Sequence, residues 1–456
     1  MIERTMIKPY LHYVVPATIA FTLSCIYSIV DGLFVGNVVG DAGLAGINVA
    51  YPLYALVLAT GTGVGMGGAV IASLRSGSGD VMGSRRATAH TLTLLACASL
   101  PIMTLLLLCA RPLCALMGGQ GETLEQAVLY LGALSLAAPL QVIVTGSLPL
   151  IRNRGHVKYA MCASIIAGVM NVILDYLFIV VCGMGTQGAG AATALSQCAC
   201  FLFCIGFFFR KGERMPVRLF KPDTELIFRS LKIGSAPFGL TLLPQITIIS
   251  ININAMVYGG ETAVAAYAVI AYVACVVQMM IQGIGDGSQP LISQCFGAGK
   301  YEAVQKLRNT NFMIALGLGL AGLLAMCGLR NDIPVWFGAS AAATEIISYA
   351  LPIIALAYAF FGFTHVATSY FYATGNAQGS SWLVYGEAVM VVAFTCLLGF
   401  SAGIMGVWSA VVVVQVMLSI MAAVLLHRAT IKLLGNKAKR PSFLEQAKRS
   451  LRIQHA

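Results

Sequence analysis

The chain has 456 residues, 58% apolar and only 10% charged, with a formal net charge of +11. Its mean hydropathy is +0.84. These values exclude a water-soluble domain with a large core and indicate a protein whose solvent is the bilayer.

A spanning helix needs about 20 apolar residues. Such segments are predicted at about 12–35, 48–72, 88–110, 127–150, 160–182 and 188–209. A polar linker follows, and a second set is predicted at about 234–257, 265–294, 310–329, 346–371, 382–400 and 404–427. The chain therefore reads as an N-lobe (1–210), a linker (211–232), a C-lobe (233–427) and a basic tail (428–456). Six is even, so both lobes enter the membrane from the same side, related by a pseudo-twofold axis along its normal. No cleavable leader is expected, because the first span is full length and lacks a small-residue cleavage site.

The lobes are copies of one another. Gly40-Asp41-x-x-Leu44-Ala45 returns 220 residues later as Gly260-Glu261-x-x-Val264-Ala265. Gly65-x-Gly67, Ser73 and Gly77-x-Gly79 return as Gly285-x-Gly287, Ser293 and Gly297-x-Gly299, and Gly155 as Gly375. Gly185-x-x-Gly188 maps onto Gly403-x-x-Gly406. A register held over so long a stretch is a duplication, and duplication in an apolar chain is a mark of secondary transporters.

Charge orients the chain. Of the 28 Lys and Arg, 26 fall on one side of this topology, and only Arg111 and Arg330 fall on the other. The positive-inside rule places both termini in the cytoplasm. The net charge then needs no nucleic-acid partner, and the tail is free to meet anionic lipid.

Chemistry resides in the few charges inside spans: Asp31, Asp175, Asp286 and Glu387, with His365. A mid-bilayer carboxylate is costly unless paired, hydrated or protonated, so each is an ion or proton site by default. The alternative is a carboxylate that locks helix packing. Tyr27 and Asp31 share one face of span 1, as Asn171 and Asp175 share one of span 5. Together they make an oxygen-rich set suited to a proton or a dehydrated Na⁺. Pro16, about four turns before Asp31, allows span 1 to kink. In the second lobe Asp31 falls on Ile251 and Asp175 on Thr395. Its polar groups lie elsewhere: Gln278, Gln282 and Asp286 at four-residue steps on span 8, and Gln245 with Asn252 on span 7. The thirteen cysteines are scattered without metal spacing and read as small buried apolar groups. No HExxH, P-loop, GxSxG or dinucleotide fingerprint appears in a credible context, so no enzyme is expected.

Several motifs together resemble the multidrug and toxic compound extrusion (MATE) family, in the branch of small bacterial exporters. They are Tyr27-Ser-Ile-Val-Asp31-Gly-Leu-Phe-Val-Gly36, Gly67-Gly-Ala-Val-Ile-Ala-Ser73, Arg154-Gly155 and Asn171-Val-Ile-Leu-Asp175-Tyr-Leu-Phe178. Gln289-Pro-Leu-Ile-Ser293, Tyr370-Phe371-Tyr372-Ala373-x-Gly375-Asn376 and Gly403-Ile-Met-Gly-Val-Trp408 complete the set. The resemblance covers essentially all twelve spans. It implies an all-α polytopic membrane protein: two pseudo-symmetric six-helix bundles in a V around a cavity that opens alternately to each side. It also implies export of amphipathic, often cationic compounds in exchange for H⁺ or Na⁺, with no other cofactor. The family's cation site in the N-terminal lobe maps onto Asp31, Asn171, Asp175 and Thr193, which are then the expected Na⁺ ligands, with Tyr27 beside them and Pro16 as the hinge. The acidic residues that other branches use in spans 7 and 10 are here Asn252 and His365.

The expected protein is thus a multidrug antiporter of the bacterial inner membrane, acting as a monomer on small cationic amphiphiles. Asp286 is the candidate counter-charge for such cargo, with Gln282, Asn252 and His365 as further cargo contacts, and Tyr27 offers a cation–π face. The alternative is a flippase or exporter of a lipid-linked or other amphipathic metabolite. An anionic pyrophosphate lipid calls for Arg or Lys in the cavity, and no span interior is expected to hold one. On this topology, cysteines placed near Arg85, Arg154, Lys221 and Lys306 should react with impermeant maleimide only from the cytoplasm, and those near Asp41, Glu122 and Glu261 only from outside. Labelling near Lys221 from outside alone would sink the arrangement of two six-span repeats.

Overall fold

The computed structural model describes residues 4–220 and 223–438. The expected positions Lys221 and the end of the basic tail, 439–456, lie outside these. Among the described residues there are helices and turns but no strands, as expected where backbone polar groups must be satisfied without water.

The first lobe holds α1 (Arg4–Val38), α2 (Asp41–Gly77), α3 (Val81–Leu116), α4 (Gly121–Asn153), α5 (Val157–Asp175) with a π-helical turn (Tyr176–Val181), and α6 (Gly185–Phe208). The second holds α7 (Thr224–Gly297), α8 (Tyr301–Gly328), the short α9 (Asp332–Trp336), α10 (Ala341–Ala373) and α11 (Ala377–Ala438). Among the described residues, ten helices are long and apolar enough to cross a membrane. Two of them are spans joined end to end. The 74-residue α7 folds at Gly260 (φ 69°) and the 62-residue α11 at Gly403 (φ 60°), a left-handed backbone that side chains with a Cβ rarely adopt. Counting their arms gives twelve spans. α1 continues through Pro16 without a break in the helix.

The duplication is visible in the backbone. Gly40 is left-handed like Gly260, and the same pairing holds for Gly79 with Gly299, Gly118 with Gly338, and Gly155 with Gly375. Contacts between the lobes repeat it too. A Cβ on Gly77 would lie 2.1 Å from the Gln294 carbonyl oxygen, and one on Gly297 would lie 2.0 Å from that of Leu74. Leu74 and Gln294 are themselves 220 residues apart, so the two contacts are mates across the pseudo-twofold axis. Gly67 against Gly234 and Gly287 against Val14, or Gly63 against Phe238 and Gly283 against Thr18, follow the same rule. Missing side chains let helix backbones approach where no water drives them together.

These contacts cluster toward the face that carries the basic loops. A core shared by the lobes lies there, with Tyr10, Val14, Met66 and Val70 packed among Ile233, Ile284 and Tyr370. Toward the opposite face each lobe has its own core, around Leu53, Leu131 and Ile179 in one and around Ile270, Leu351 and Trp408 in the other. Joined at one end and separately cored at the other, the lobes form a V. The linker is pinned at the joined end: Arg154 pairs with Glu213, and Arg86 lies 3.3 Å from Asp223. Asp223 caps α7 by accepting from the Leu226 N–H, and that bond, aided by Arg86, holds its carboxyl below the usual carboxylate range.

A bulky residue at Gly77 should wedge the lobes apart without disturbing either lobe's own core. In Gly77→Val, a cysteine placed at the buried Ser293 should become reactive to aqueous maleimide. Gly317→Val, where a Cβ meets open space, should leave it protected. Unchanged reactivity in Gly77→Val would mean that this contact does not hold the lobes together.

Candidate functional site

Three helices of the first lobe bring together the residues singled out there. α1 supplies Tyr27 and Asp31, α5 supplies Asn171 and Asp175, and α6 supplies Thr193. Tyr27 packs directly on α5, where a Cβ on Gly168 would meet its ring at 2.8 Å. The Asn171 amide donates to Thr193 Oγ1 at 3.3 Å, joining α5 to α6. Asp175 stands where α5 gives way to the π-helical turn, and such irregular turns are frequent at functional sites.

The oxygens of this group stand out. Both carboxylate oxygens of Asp175, one of Asp31 and the side-chain oxygen of Asn171 are buried without a hydrogen-bond partner among the described residues. Asp175 is 0% exposed. Asp31 and Asp175 also lie within range of each other's charge. Buried polar atoms are nearly always bonded, and two like charges in a low dielectric repel strongly. A cation or proton among these oxygens resolves both costs. The donor set, two carboxylates with an amide oxygen and a hydroxyl, is hard and all-oxygen, which suits Na⁺ and not a thiophilic metal. Among the described residues no group of three or more His, Cys, Asp or Glu could hold a metal ion.

Aromatic residues that did not stand out in the sequence surround the site. Tyr54 and Tyr130 lie within electrostatic range of Asp31, as does Tyr272 from the second lobe. Tyr51 and Tyr54 face each other with ring centroids 6.2 Å apart, and the Tyr54 hydroxyl donates to Gln141. The signal for the α2 pair was present as two tyrosines three apart on a predicted span.

The second lobe differs. Thr395, equivalent to Asp175, shares a 2.8 Å hydrogen bond with Ser250, the neighbour of Ile251. The two helices thus meet as in the first lobe, but through neutral hydroxyls. Asn252 lies half-buried on this arm of α7, while Gln282 and Asp286 belong to the other arm. Glu387 accepts from the Gln415 amide at 2.7 Å.

Two expectations are corrected here. Arg152, counted among the loop cations, is only 7% exposed and lies 5.6 Å above the Phe21 ring, so a basic group is buried at the end of α4. Asp286 is not a bare counter-charge. It is 5% exposed, accepts from the Tyr372 hydroxyl, and is faced by Arg152 and His365. His365 is likewise buried. Sequence distance hid this grouping: Arg152 comes from the other lobe, and Tyr372 stands at its equivalent position, 220 residues on.

The protein-family model described as MatE matches residues 16–177 and 238–396, one stretch in each repeat. The multidrug export protein MepA of Staphylococcus saprophyticus is 22% identical over 444 residues, covering 96% of this chain and 97% of that protein. MepA of Staphylococcus aureus (strain MRSA252) is 24% identical over 405 residues, covering 88% of this chain and 89% of its own. A multidrug resistance MATE transporter solved in an outward-facing conformation superposes with a TM-score of 0.87 at 23% identity, covering 94% of this chain and 96% of that one. With both repeats matched and the fold shared over nearly its whole length, the chain belongs to the MatE family of multidrug efflux transporters.

Proposed function

We propose that the protein exports amphipathic, mostly cationic compounds in exchange for H⁺ or Na⁺ that binds among Asp31, Asn171, Asp175 and Thr193. The observation that carries this reading is the set of unpartnered buried oxygens on Asp31, Asn171 and Asp175, matched in the second lobe by a neutral Ser250–Thr395 pair. The basic loops then face the cytoplasm, with both termini.

In this mechanism the ion enters from the face opposite the basic loops and is held by oxygens of α1, α5 and α6. Holding it draws Asp31 of α1 toward Asp175 of α5, because the shared cation replaces repulsion by attraction. Tyr27 moves with α1, so the tyrosine-rich surface beside the site changes shape and cargo held there is released outward. Loss of the ion to the cytoplasm restores the first state. Pro16 supports the movement: it has no N–H to bond one turn back, so α1 bends there at lower cost. The tyrosine faces give a lipophilic cation both apolar area and a favourable quadrupole.

Asp31→Asn and Asp175→Asn should each abolish ion-driven export while the protein still reaches the membrane, because the amide keeps the shape and removes the charge. Glu387→Gln should retain most activity, since Gln415 still finds an acceptor. Full drug resistance conferred by Asp31→Asn would move the ion site elsewhere.

Cargo and coupling ion are tested in proteoliposomes with ΔpH and ΔNa⁺ imposed separately. Ethidium and quaternary ammonium biocides should move under one of these gradients, and a pyrophosphate-linked lipid should not. Preferential movement of the anionic lipid would replace the exporter by a flippase.

A further inference from the structure

The thirteen cysteines are all free, and one close pair among them joins the two lobes. Cys25 of α1 and Cys275 of α7 are 250 residues apart and come from different lobes, yet their sulfurs are 3.1 Å apart. A disulfide needs about 2.05 Å between sulfurs, so the two thiols are unbonded but already in contact. By contrast, the thiols of Cys200 and Cys204 meet within one helix, four residues apart on α6, and Cys200 also bonds a backbone carbonyl of its own lobe.

Position gives the pair its meaning. Cys25 lies two residues before Tyr27 and six before Asp31. The helices stay close further along, where a Cβ on Gly32 would meet the Tyr272 hydroxyl at 3.8 Å. Cys25 is buried and Cys275 only partly so, and Tyr51, 37% exposed, lies near both. The partial exposure of Cys275 gives a small oxidant its access to the pair. A bond here would tie α1 to the second arm of α7 at membrane depth, well away from the joined end, across the interface that alternating access has to remodel.

We propose that Cys25 and Cys275 form a reversible inter-lobe disulfide that locks the transporter. The step breaks two S–H bonds and makes one S–S bond. Two protons and two electrons pass to an oxidant of the azo or quinone class, which becomes a hydrazine or a quinol. A thiol reductant reverses it by exchange. The consequence for transport rests on the exporter reading, whereas formation of the bond does not.

The test treats the full-length protein in proteoliposomes with diamide and maps its disulfides by peptide mass spectrometry. A peptide pair linked through Cys25 and Cys275 should dominate and vanish with dithiothreitol. The thermal unfolding midpoint should rise on oxidation. Ethidium export should fall to a small fraction of its rate and recover on reduction. Cys25→Ser and Cys275→Ala should each export at the wild-type rate with diamide present. No linkage between these two residues, or a different dominant pairing, overturns the proposal without touching the exporter reading. Linkage with undiminished export overturns the lock, and so does equal inhibition of the Cys25→Ser variant. If ethidium does not move in the reduced protein either, the exporter reading fails, while the linkage map still decides whether the bond forms.

Discussion

A buried carboxylate with no hydrogen-bond partner is the constraint on which the rest of this structure depends. A charged group at mid-bilayer costs about 2.5–3.5 kcal/mol on insertion scales, and the first lobe holds two carboxylates within range of each other, three of whose four oxygens are buried without a partner among the described residues. Among the described residues no hydrogen bond answers the charge of Asp175, whose two oxygens are both orphaned. On the proposed reading, an exchangeable cation shifts the balance between two arrangements of α1 and α5 because its binding energy differs between them. The surroundings serve that role: Asn171 and Thr193 supply further oxygens, and the π-helical turn begins at Asp175.

The second lobe is the internal control. It kept the scaffold, down to reciprocal backbone contacts of Gly77 and Gly297, and replaced the charged pair by Ser250 and Thr395. Its remaining deep carboxylates are both satisfied, Asp286 by Tyr372 and Glu387 by Gln415. In the proposed mechanism the pseudo-symmetry provides two bodies that move about a common joint, and the asymmetry gives one of them the exchangeable charge. Cooperation between Arg152 and Asp286 belongs to the joint. Each comes from a different lobe, and separating them would expose two poorly compensated charges, which adds to the cohesion of the closed end.

Much of this was legible in the chain. Hydropathy and the 220-residue register gave the twelve spans and their pairing, because a spanning helix needs a long apolar run and a duplicated gene keeps its turn glycines. The grouping of polar residues in the first lobe was legible too. Tyr27 with Asp31, and Asn171 with Asp175, sit four apart on helices whose type was never in doubt. The reading failed where partners are far apart in sequence. Arg152 looked like one more loop cation, and Asp286 like an isolated charge, because their proximity arises from packing between lobes. Cys25 and Cys275 looked like scattered apolar residues for the same reason.

By itself, then, the sequence determined the solvent, the number of spans, the twofold repeat and the helix faces that carry charge, all of which follow from local periodicity and composition. Only the tertiary structure decided which of those charges are answered. Whether a carboxylate meets a tyrosine, an arginine or nothing depends on which helix lies against it. In a bilayer that choice rests on close backbone fit, as at Gly63, Gly67, Gly77 and their repeats, and no single span encodes it.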